Sequence, residues 1–279
     1  MKTVKLDLHT HSNCSDGADT PEEVVLKAYK EGLDIIAITD HDTVQGLKRG
    51  RDTAKKLGMG FVAGIEISCK FQGIGMHILG LNLDWGRMHK IEDFCQKLFD
   101  KRQERIYKYV EALNKEKKPN PPYSYDEVKK FTTGIPGSPH IVKMLMQREQ
   151  STDINRSEEL YAYLRVLSKK YNIDQGINVG AQEAIDIIHN TGGRAYLAHP
   201  GQIEYRNKKT SEEILNIIQD LKLIGLDGVE AHYSTHSEEQ TEKYSQYAIK
   251  LNLDITGGSD YHGKNKPYSL DHARYRERT

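Results

Sequence analysis

The stretch Leu33-Asp34-Ile35-Ile36-Ala37-Ile38-Thr39-Asp40-His41-Asp42 joins a nearly continuous apolar run to a cluster of carboxylates around one imidazole. A short apolar run without alternation predicts a strand that is covered on both faces. Surface histidines do not usually follow such a run, yet the arrangement recurs at Arg194-Ala195-Tyr196-Leu197-Ala198-His199. Barrel enzymes carry their reacting groups at the carboxyl ends of the strands. The repetition therefore predicts an enzyme site at that end of a parallel sheet.

Seven predicted strands alternate with predicted helices. The strands are Val4–His9, Leu33–Thr39, Phe61–Ile67, His77–Leu83, Arg194–Ala198, Gly228–His232 and Asp254–Thr256. The first helix is clearly delimited, because Thr20-Pro21-Glu22-Glu23 supplies a cap, a proline and acidic residues, and Gly32 ends it. This alternation favours an α/β fold with a parallel, barrel-like sheet.

Residues 86–178 interrupt the alternation. A long charged amphipathic helix is predicted over Ile91–Leu113, and shorter helical segments follow it. We therefore predict a barrel domain of residues 1–85 and 179–279 with a helical insertion of residues 86–178. Loops and insertions at the carboxyl ends of barrel strands carry function, so the insertion is expected to lie over the active site.

Side chains that bind transition metals are scattered from residue 9 to residue 262, most of them at predicted strand ends. The candidate metal ligands are His9, His11, Asp16, His41, Glu66, His77, His199, Asp260 and His262. In an extended chain the spacing of His9 and His11, repeated by Asp260 and His262, puts both side chains on one side. Mixed imidazole and carboxylate ligands suit Mn²⁺, Fe²⁺ or Zn²⁺. The set exceeds what one ion needs, so we predict two to three divalent ions.

Composition excludes some partners. Lys plus Arg and Asp plus Glu both number 40, so no net basicity suggests binding to duplex DNA. No apolar run approaches the roughly 20 residues that a membrane-spanning helix needs, and the amino terminus lacks the apolar core of a signal peptide. Cys14, Cys69 and Cys95 have no paired spacing, which suits a reducing compartment. We expect a cytoplasmic protein without a membrane partner, and its oligomeric state stays open.

Five ordered motifs together resemble one family, the PHP (polymerase and histidinol phosphatase) family, over nearly the whole chain. The motifs are Asp7-Leu8-His9-Thr10-His11-Ser12 with Ser15-Asp16-Gly17, Thr39-Asp40-His41-Asp42-Thr43, Gly64-Ile65-Glu66-Ile67-Ser68, Leu197-Ala198-His199-Pro200 and Gly257-Gly258-Ser259-Asp260-Tyr261-His262-Gly263. Within the family the chain looks most like the small bacterial phosphoesterases, which include 3′,5′-nucleotide bisphosphate phosphatases that also trim short RNAs from the 5′ end. The resemblance implies a distorted (β/α)7 barrel of the PHP type.

The resemblance also implies how the ligands divide among three ions. His9, His11, Glu66 and Asp260 would hold the first ion. Glu66, His77 and His199 would hold the second, and Asp16, His41 and His262 the third. Glu66 would bridge, and Glu66, His199 and His262 would take part directly in catalysis.

Clustered metals predict the reaction. Two ions about 3.5–4 Å apart can activate a water and clamp the oxygens of an in-line displacement at phosphorus. The sequence contains neither a P-loop motif nor a Gly-x-Ser-x-Gly elbow. We therefore predict a phosphatase of a small phosphorylated metabolite, such as a nucleoside 3′,5′-bisphosphate, or of the 5′ end of a short oligonucleotide.

The predicted insertion supplies candidate substrate contacts: Arg102, Arg105, Ser138, His140 and Lys143. Arg102 and Arg105 are nearly one helical turn apart and can face one pocket. Ser138-Pro139-His140 resembles an insertion motif of the phosphoesterase branch in which Arg-Pro-His is commoner. Because a hydroxyl does not replace a bidentate guanidinium, Ser138 favours the alternative of a plain monophosphate such as histidinol phosphate.

Two other classes of protein stay open. An amidohydrolase uses a similar His-x-His site to cleave carbon–nitrogen bonds, usually with a lysine bridge where this chain has Glu66. A PHP module can also be non-catalytic, although every candidate ligand position is filled here. Asp40 and Asp42 are interpreted as groups that orient the backbone or a ligand rather than bind metal directly, and Glu230 is similarly placed.

Overall fold

The computed structural model describes residues 3–132, 136–174 and 179–270, together with the backbone of residues 276–278. The chain divides into two compact units, Met1–Cys95 with Val179–Thr279, and Gln96–Asn178. The predicted insertion begins at residue 86, whereas the two units divide between Cys95 and Gln96. That division falls inside one helix, Met88–Lys117. That the second unit covers the active site stays a prediction.

The secondary structure follows the predicted alternation in the first unit and is helical in the second. The strands are β1 Thr3–Asp7, β2 Ile35–Ile38, β3 Gly60–Ala63, β4 Ile65–Phe71, β5 Ile74–Leu81, β6 Val179–Gly180, β7 Arg194–Leu197, β8 Gly228–Tyr233, β9 Asp254–Gly258 and β10 Arg276–Arg278. The helices are α1 Pro21–Lys30, α2 Leu47–Leu57, α3 Met88–Lys117, α4 Tyr125–Lys129, α5 Ser138–Glu149, α6 Ile154–Tyr171, α7 Ala181–Asn190, α8 Pro200–Asn207, α9 Ser211–Leu223 and α10 Glu238–Lys250.

The strands form two hydrogen-bonded sheets, in the orders β10-β1-β2-β3 and β6-β4-β5-β7-β8-β9. Two isolated parallel bridges connect them just beyond the strand ends. One joins Thr10 to Tyr261, after β1 and β9, and the other joins His41 to Glu66, after β2 and at the start of β4. The predicted α/β class is confirmed, and these bridges bring together the strand ends that carry the candidate ligands.

The prediction of a parallel sheet was wrong for β10, which is antiparallel to β1, and for β5. This strand is antiparallel to both β4 and β7. Only Gln72 and Gly73 separate β4 from β5, and both have positive φ, of 49° and 78°. A connection this short permits a hairpin, whereas a parallel crossover needs a dozen residues or more. The hairpin places His77 opposite Ser68, two residues along β4 from Glu66.

Strand β2 lies in the core of the first unit. Ile36, Ala37 and Ile38 of β2 are fully buried, as expected of a strand covered on both faces. Helix α1 begins with the predicted cap, in which the Glu23 backbone N–H donates to Thr20 Oγ1 at 3.2 Å and the Thr20 N–H donates to the Glu23 carboxylate at 2.8 Å. This cap satisfies backbone donors at the end of α1.

The second unit has an apolar core of its own, built from α4, α5, α6 and most of α3. Its largest fully buried side chains include Tyr109, Ile106 and Leu113, all on α3. They recur at helical spacing, so the amphipathic pattern of the sequence reflects this core. Within the ranges that the structure describes, no helix is both long and apolar enough to cross a membrane.

The turn between β4 and β5 gives a test of the hairpin. Gly73 has a φ of 78° and an added Cβ would meet nothing within 4 Å, so Gly73→Ala would introduce backbone strain without a clash. A left-handed conformation costs a non-glycine residue roughly 1–2 kcal/mol, and we expect the free energy of unfolding in urea to fall by about that amount. Gly75→Ala is the matched control, because Gly75 has equally open surroundings without a positive φ. An equal loss of unfolding free energy in Gly73→Ala and Gly75→Ala would contradict the assigned turn.

Candidate metal centre

A single buried carboxylate lies at the centre of the candidate site. Glu66, the second residue of β4, has no exposed surface. Its Oε1 lies 2.8 Å from His77 Nδ1 and 2.9 Å from His199 Nε2. These two nitrogens are themselves 3.3 Å apart. The three residues that were predicted to hold the second ion therefore present their ligand atoms to one another.

The other oxygen of Glu66 faces a different set of imidazoles. Glu66 Oε2 lies 3.0 Å from His41 Nδ1, 3.2 Å from His11 Nε2 and 3.3 Å from His9 Nε2. Asp260 lies beside the same imidazoles, since its Oδ1 is 3.2 Å from His11 Nε2. A carboxylate whose two oxygens serve two separate groups of nitrogens has the geometry of a bridging ligand.

All nine candidate ligands come together in the first unit. Eight of them have ligand atoms within 4.8 Å of one another in three groups, which are His9, His11, Glu66 and Asp260; His11, Asp16, His41 and His262; and His41, Glu66 and His77. The third group has His41 in the place of His199, whose Nε2 lies 2.9 Å from Glu66 Oε1. The first group equals the set that the family resemblance implied for the first ion. The second adds His11 to the set implied for the third ion, because the rings of His11 and His262 stack with centroids 4.1 Å apart.

Three buried ligand atoms test whether the site fits a metal. His41 Nδ1 lies 3.0 Å from Glu66 Oε2, and His262 Nε2 lies 3.0 Å from Asp16 Oδ1, yet none of His41 Nδ1, Glu66 Oε2 and His262 Nε2 makes a hydrogen bond of good geometry to a described residue. Buried polar atoms without a partner cost free energy and are rare in folded proteins. Imidazole nitrogens and carboxylate oxygens that converge in this way are the ligands of borderline divalent ions. The residues present therefore fit a divalent metal ion.

The charges of the site are strongly coupled. Burial by itself would raise the pKa of Glu66, but His41, His77 and His9 outweigh it and hold that pKa well below its usual value. Burial lowers the pKa of His41 well below its usual value, although Glu66 opposes this shift. Glu66 is therefore ionised among the histidines that surround it.

Two candidate ligands follow their strands in an unusual backbone conformation. His199 and Asp260 have φ values of 30° and 54°. Left-handed non-glycine residues cost free energy and are often found at functional sites. Hydrogen bonds hold both, since the His199 N–H donates to Glu230 Oε2 and the Asp260 N–H donates to the His9 carbonyl, each at 2.8 Å.

With this geometry established, comparison with known proteins decides the family. The PHP domain family matches residues 7–261. This chain belongs to the PHP domain family. The predicted family membership is confirmed.

Relatives of this PHP domain chain have names that describe phosphate-ester chemistry. A 5′-3′ exoribonuclease of Haemophilus influenzae is 32% identical over 93% of this chain and 90% of its own length. A phosphoribosyl 1,2-cyclic phosphate 1,2-diphosphodiesterase of Eggerthella lenta is 31% identical over 92% and 94%. A 3′,5′-nucleoside bisphosphate phosphatase of Chromobacterium violaceum is 27% identical over 93% and 87%.

Solved structures share the fold along almost the whole chain. A protein of Bifidobacterium adolescentis, named as a metal-dependent phosphoesterase, superposes with a TM-score of 0.76 at 28% identity and covers 97% of this chain and 94% of its own. A structure from Chromobacterium violaceum, named as an amidohydrolase with bound sulfate, gives 0.73 at 25% identity, with coverage of 93% and 88%. The predicted α/β fold of the PHP type and the predicted enzyme class, a phosphoric ester hydrolase, are confirmed, and the distorted (β/α)7 barrel stays a prediction.

The carboxylates that flank His41 in this PHP domain hold loops, as predicted. Asp40 accepts hydrogen bonds from the Ser12 N–H at 2.8 Å and from the Ser15 hydroxyl at 2.6 Å, so it fixes the loop that carries Asp16. Asp42 accepts from the backbone N–H of Ser68 at 2.9 Å and from its hydroxyl at 3.0 Å. Their oxygens are thereby engaged by protein donors.

Sequence reasoning missed two donors that orient Asp260. The Tyr233 hydroxyl lies 2.8 Å from Asp260 Oδ2, and Lys266 Nζ lies 2.7 Å from the same oxygen. Burial first, and then the charge of Asp260, raise the pKa of the Tyr233 hydroxyl, which therefore stays a donor. Tyr233 ends β8 as the candidate ligands end other strands, and that position is the only sequence signal that could have found it.

The predicted substrate contacts all lie in the second unit. Arg105 forms an ion pair with Asp174 and lies over the Tyr109 ring. His140 is buried, and its Nδ1 accepts from the Gly137 N–H at 2.9 Å at the start of α5. Ser138 is the first residue of α5, and Lys143 is exposed on it. Arg102 lies on α3 as predicted, and substrate contact by any of the five stays a prediction.

His236 supports the backbone after His199. Its Nδ1–H donates to the Ala231 carbonyl at 2.8 Å, and its Nε2 accepts from the Gly201 N–H at 3.1 Å. Burial, only partly opposed by these contacts, lowers the pKa of His236 to about 4. The ring is therefore neutral at neutral pH, in the tautomer that this pair of bonds requires.

This arrangement predicts a pH dependence of stability. Because the pKa of His236 is about 4 in the folded protein and about 6.5 in the unfolded chain, its contribution is present above pH 6.5 and is lost as the pH falls towards 4. Between pH 7 and pH 5 the stability advantage of the wild type over His236→Gln should shrink by about 2 kcal/mol. Urea unfolding of both proteins at each pH measures this difference. An advantage that is constant over this pH range would refute the assigned contacts.

Proposed function

We propose that this chain is a metal-dependent phosphoesterase that hydrolyses a phosphomonoester of a small molecule carrying a second phosphate. A nucleoside 3′,5′-bisphosphate and the 5′ end of a short oligonucleotide are the favoured substrates. The observation that carries the proposal is the buried Glu66, whose two oxygens face two groups of histidines. The names of the relatives support phosphate-ester chemistry.

The nine candidate ligands would hold two to three divalent ions. His9, His11, Glu66 and Asp260 form one set, Glu66, His77 and His199 another, and Asp16, His41 and His262 the last. Bound there, such ions supply an activated water and positive charge that stabilises the transition state at phosphorus. A bridging carboxylate rather than a lysine favours this reading over an amidohydrolase.

Neighbouring residues hold the candidate ligands in the charge state and orientation that metal binding needs. Glu66 stays ionised among the imidazoles, and its burial keeps bulk water from screening the charges around it. Tyr233 and Lys266 engage Asp260 Oδ2, which leaves Oδ1 directed at His9 and His11. The site is therefore preorganised for cations before they bind.

The substrate proposal depends on the second unit. Arg102, Arg105 and Lys143 are cationic, and a charge-assisted contact to phosphate is among the stronger hydrogen bonds in proteins. Arg105 already pairs with Asp174, so a phosphate that binds it must compete with or share that carboxylate. Ser138 lacks the guanidinium fork that the related motif carries. These groups are proposed to read the phosphate that is not cleaved.

Metal loading is the first test of this proposal. Protein purified with Mn²⁺ should hold two to three ions by elemental analysis and should lose hydrolysis of phosphate esters on chelation. Glu66→Ala should lower metal content and activity more than His77→Ala does, because Glu66 belongs to two ligand sets and His77 to one.

The control for this test is Asp227→Asn, which removes the negative charge beside His189 and touches no candidate ligand. It should bind metal like the wild type. A wild-type protein that retains no more than one ion contradicts the multinuclear site. Cleavage of an amide or cyclic imide without any phosphate ester would instead favour an amidohydrolase.

Substrate choice is tested on a panel of bisphosphates and monophosphates. Arg105→Ala should lower kcat/KM for bisphosphates by roughly ten- to hundredfold, since a charged hydrogen bond contributes about 1.5–3 kcal/mol. Monophosphates should change little, because the missing contact is to the second phosphate.

Two control variants distinguish a contact between Arg105 and the second phosphate from a purely structural role of Arg105. Asp174→Asn breaks the ion pair of Arg105 but keeps the cation, so it should preserve the preference for bisphosphates. Arg156→Ala removes an arginine of the same unit that pairs with Glu149 and Glu159, and it should leave the preference unchanged. Equal loss in Arg105→Ala and Asp174→Asn would assign Arg105 a structural role only.

A further inference from the structure

Glu230 connects two of the candidate metal sites without belonging to either. It is the third residue of β8 and has no exposed surface. Its Oε1 lies 2.8 Å from His9 Nδ1, and its Oε2 accepts a hydrogen bond of 2.8 Å from the backbone N–H of His199. His9 belongs to the first ligand set and His199 to the second. One buried carboxylate thus holds a residue of each.

Each contact constrains a ligand in a specific way. At His9 the carboxylate requires a proton on Nδ1, so the other ring nitrogen is directed at Glu66 Oε2, 3.3 Å away, and at Asp260 Oδ1, 3.6 Å away. At His199 the carboxylate holds the backbone of a residue whose φ is 30°. This contact stabilises a conformation that the residue would otherwise rarely adopt.

We propose that Glu230 is a positioning residue that couples the two metal sites. Rotation of the His9 ring, or relaxation of the His199 backbone, would leave a buried carboxylate oxygen without its donor, which costs free energy. The two ligands therefore keep their binding geometry together, and an ion at either site stabilises the carboxylate position that the other site needs. This inference rests on the proposed function, because it assumes that both sites take metal.

Glu230→Gln is the substitution that tests the coupling. An amide has nearly the shape of the carboxylate but carries one acceptor oxygen and one donor nitrogen. The two ends of Glu230 both accept, one from an imidazole N–H and one from a backbone N–H. The variant must therefore face one of these donors with another donor, in either orientation of the amide.

The chain offers a matched control in Asp227→Asn. Asp227 also accepts from a backbone N–H, that of Ala195, and from a histidine ring, that of His189, both at 2.7 Å. It precedes the same strand, and the exchange of carboxylate for amide is the same. Both donors meet the same oxygen, Oδ2, so the amide oxygen of Asp227→Asn can keep both bonds. Because His189 is not a candidate ligand, this variant reports the effect of the exchange of carboxylate for amide by itself.

The experiment measures Mn²⁺ affinity by competition with a chelator, and thermal stability with and without Mn²⁺. In Glu230→Gln we expect two classes of bound ion each to bind ten- to hundredfold more weakly, the range for removal of a group that orients metal ligands. Asp227→Asn should keep both affinities within about threefold. Weakening of one ion only, or of neither, overturns the coupling role.

The outcomes also separate this inference from the proposed function. A wild-type protein that binds Mn²⁺ and hydrolyses phosphate esters, with Glu230→Gln unchanged in affinity, refutes the role of Glu230 alone. A wild-type protein that binds no Mn²⁺ and hydrolyses no ester refutes the proposed function.

Should Glu230→Gln fail to fold, nuclear magnetic resonance of the Zn²⁺-loaded wild type decides. The His9 Nδ1 proton and the His199 amide proton should then both exchange slowly with solvent, and fast exchange of either overturns the inference.

Discussion

Everything at the site depends on one ionised carboxylate held away from water. Glu66 has no exposed surface, and its oxygens lie within 3.3 Å of nitrogens from five histidines. Burial of an isolated charge is very costly, so it persists only where opposite charge compensates it. The same requirement explains why histidines from distant parts of the chain converge, and it makes the site suitable for divalent cations.

The ligands are in turn held by acceptors and donors that bind no metal in the proposed sets. Asp40, Asp42 and Glu230 each use both oxygens on protein donors. Tyr233 and Lys266 fix the oxygen of Asp260 that faces away from the histidines. Since metal ligands need orientation as well as identity, this surrounding layer determines whether nine suitable side chains become a binding site.

The direction of the strands, as well as the type of the residues, brings the candidate ligands together. Because β5 returns along β4 through a two-residue turn, His77 approaches Glu66 from an antiparallel strand. A regular parallel barrel would have required a helix at that point. The departure from the simple alternation is therefore part of what assembles the second ligand set.

The sequence by itself determined the α/β class, most helices and the candidate ligands, because apolar periodicity and the spacing of His9, His11, Asp260 and His262 are local properties. Only the tertiary structure decided that β5 is antiparallel, since strand direction depends on a turn whose φ values no apolar pattern encodes. It also decided the roles of Glu230, Tyr233 and Lys266. Hydrogen bonds between residues far apart in sequence, such as the one that joins His9 to Glu230, exist only once the strands have paired.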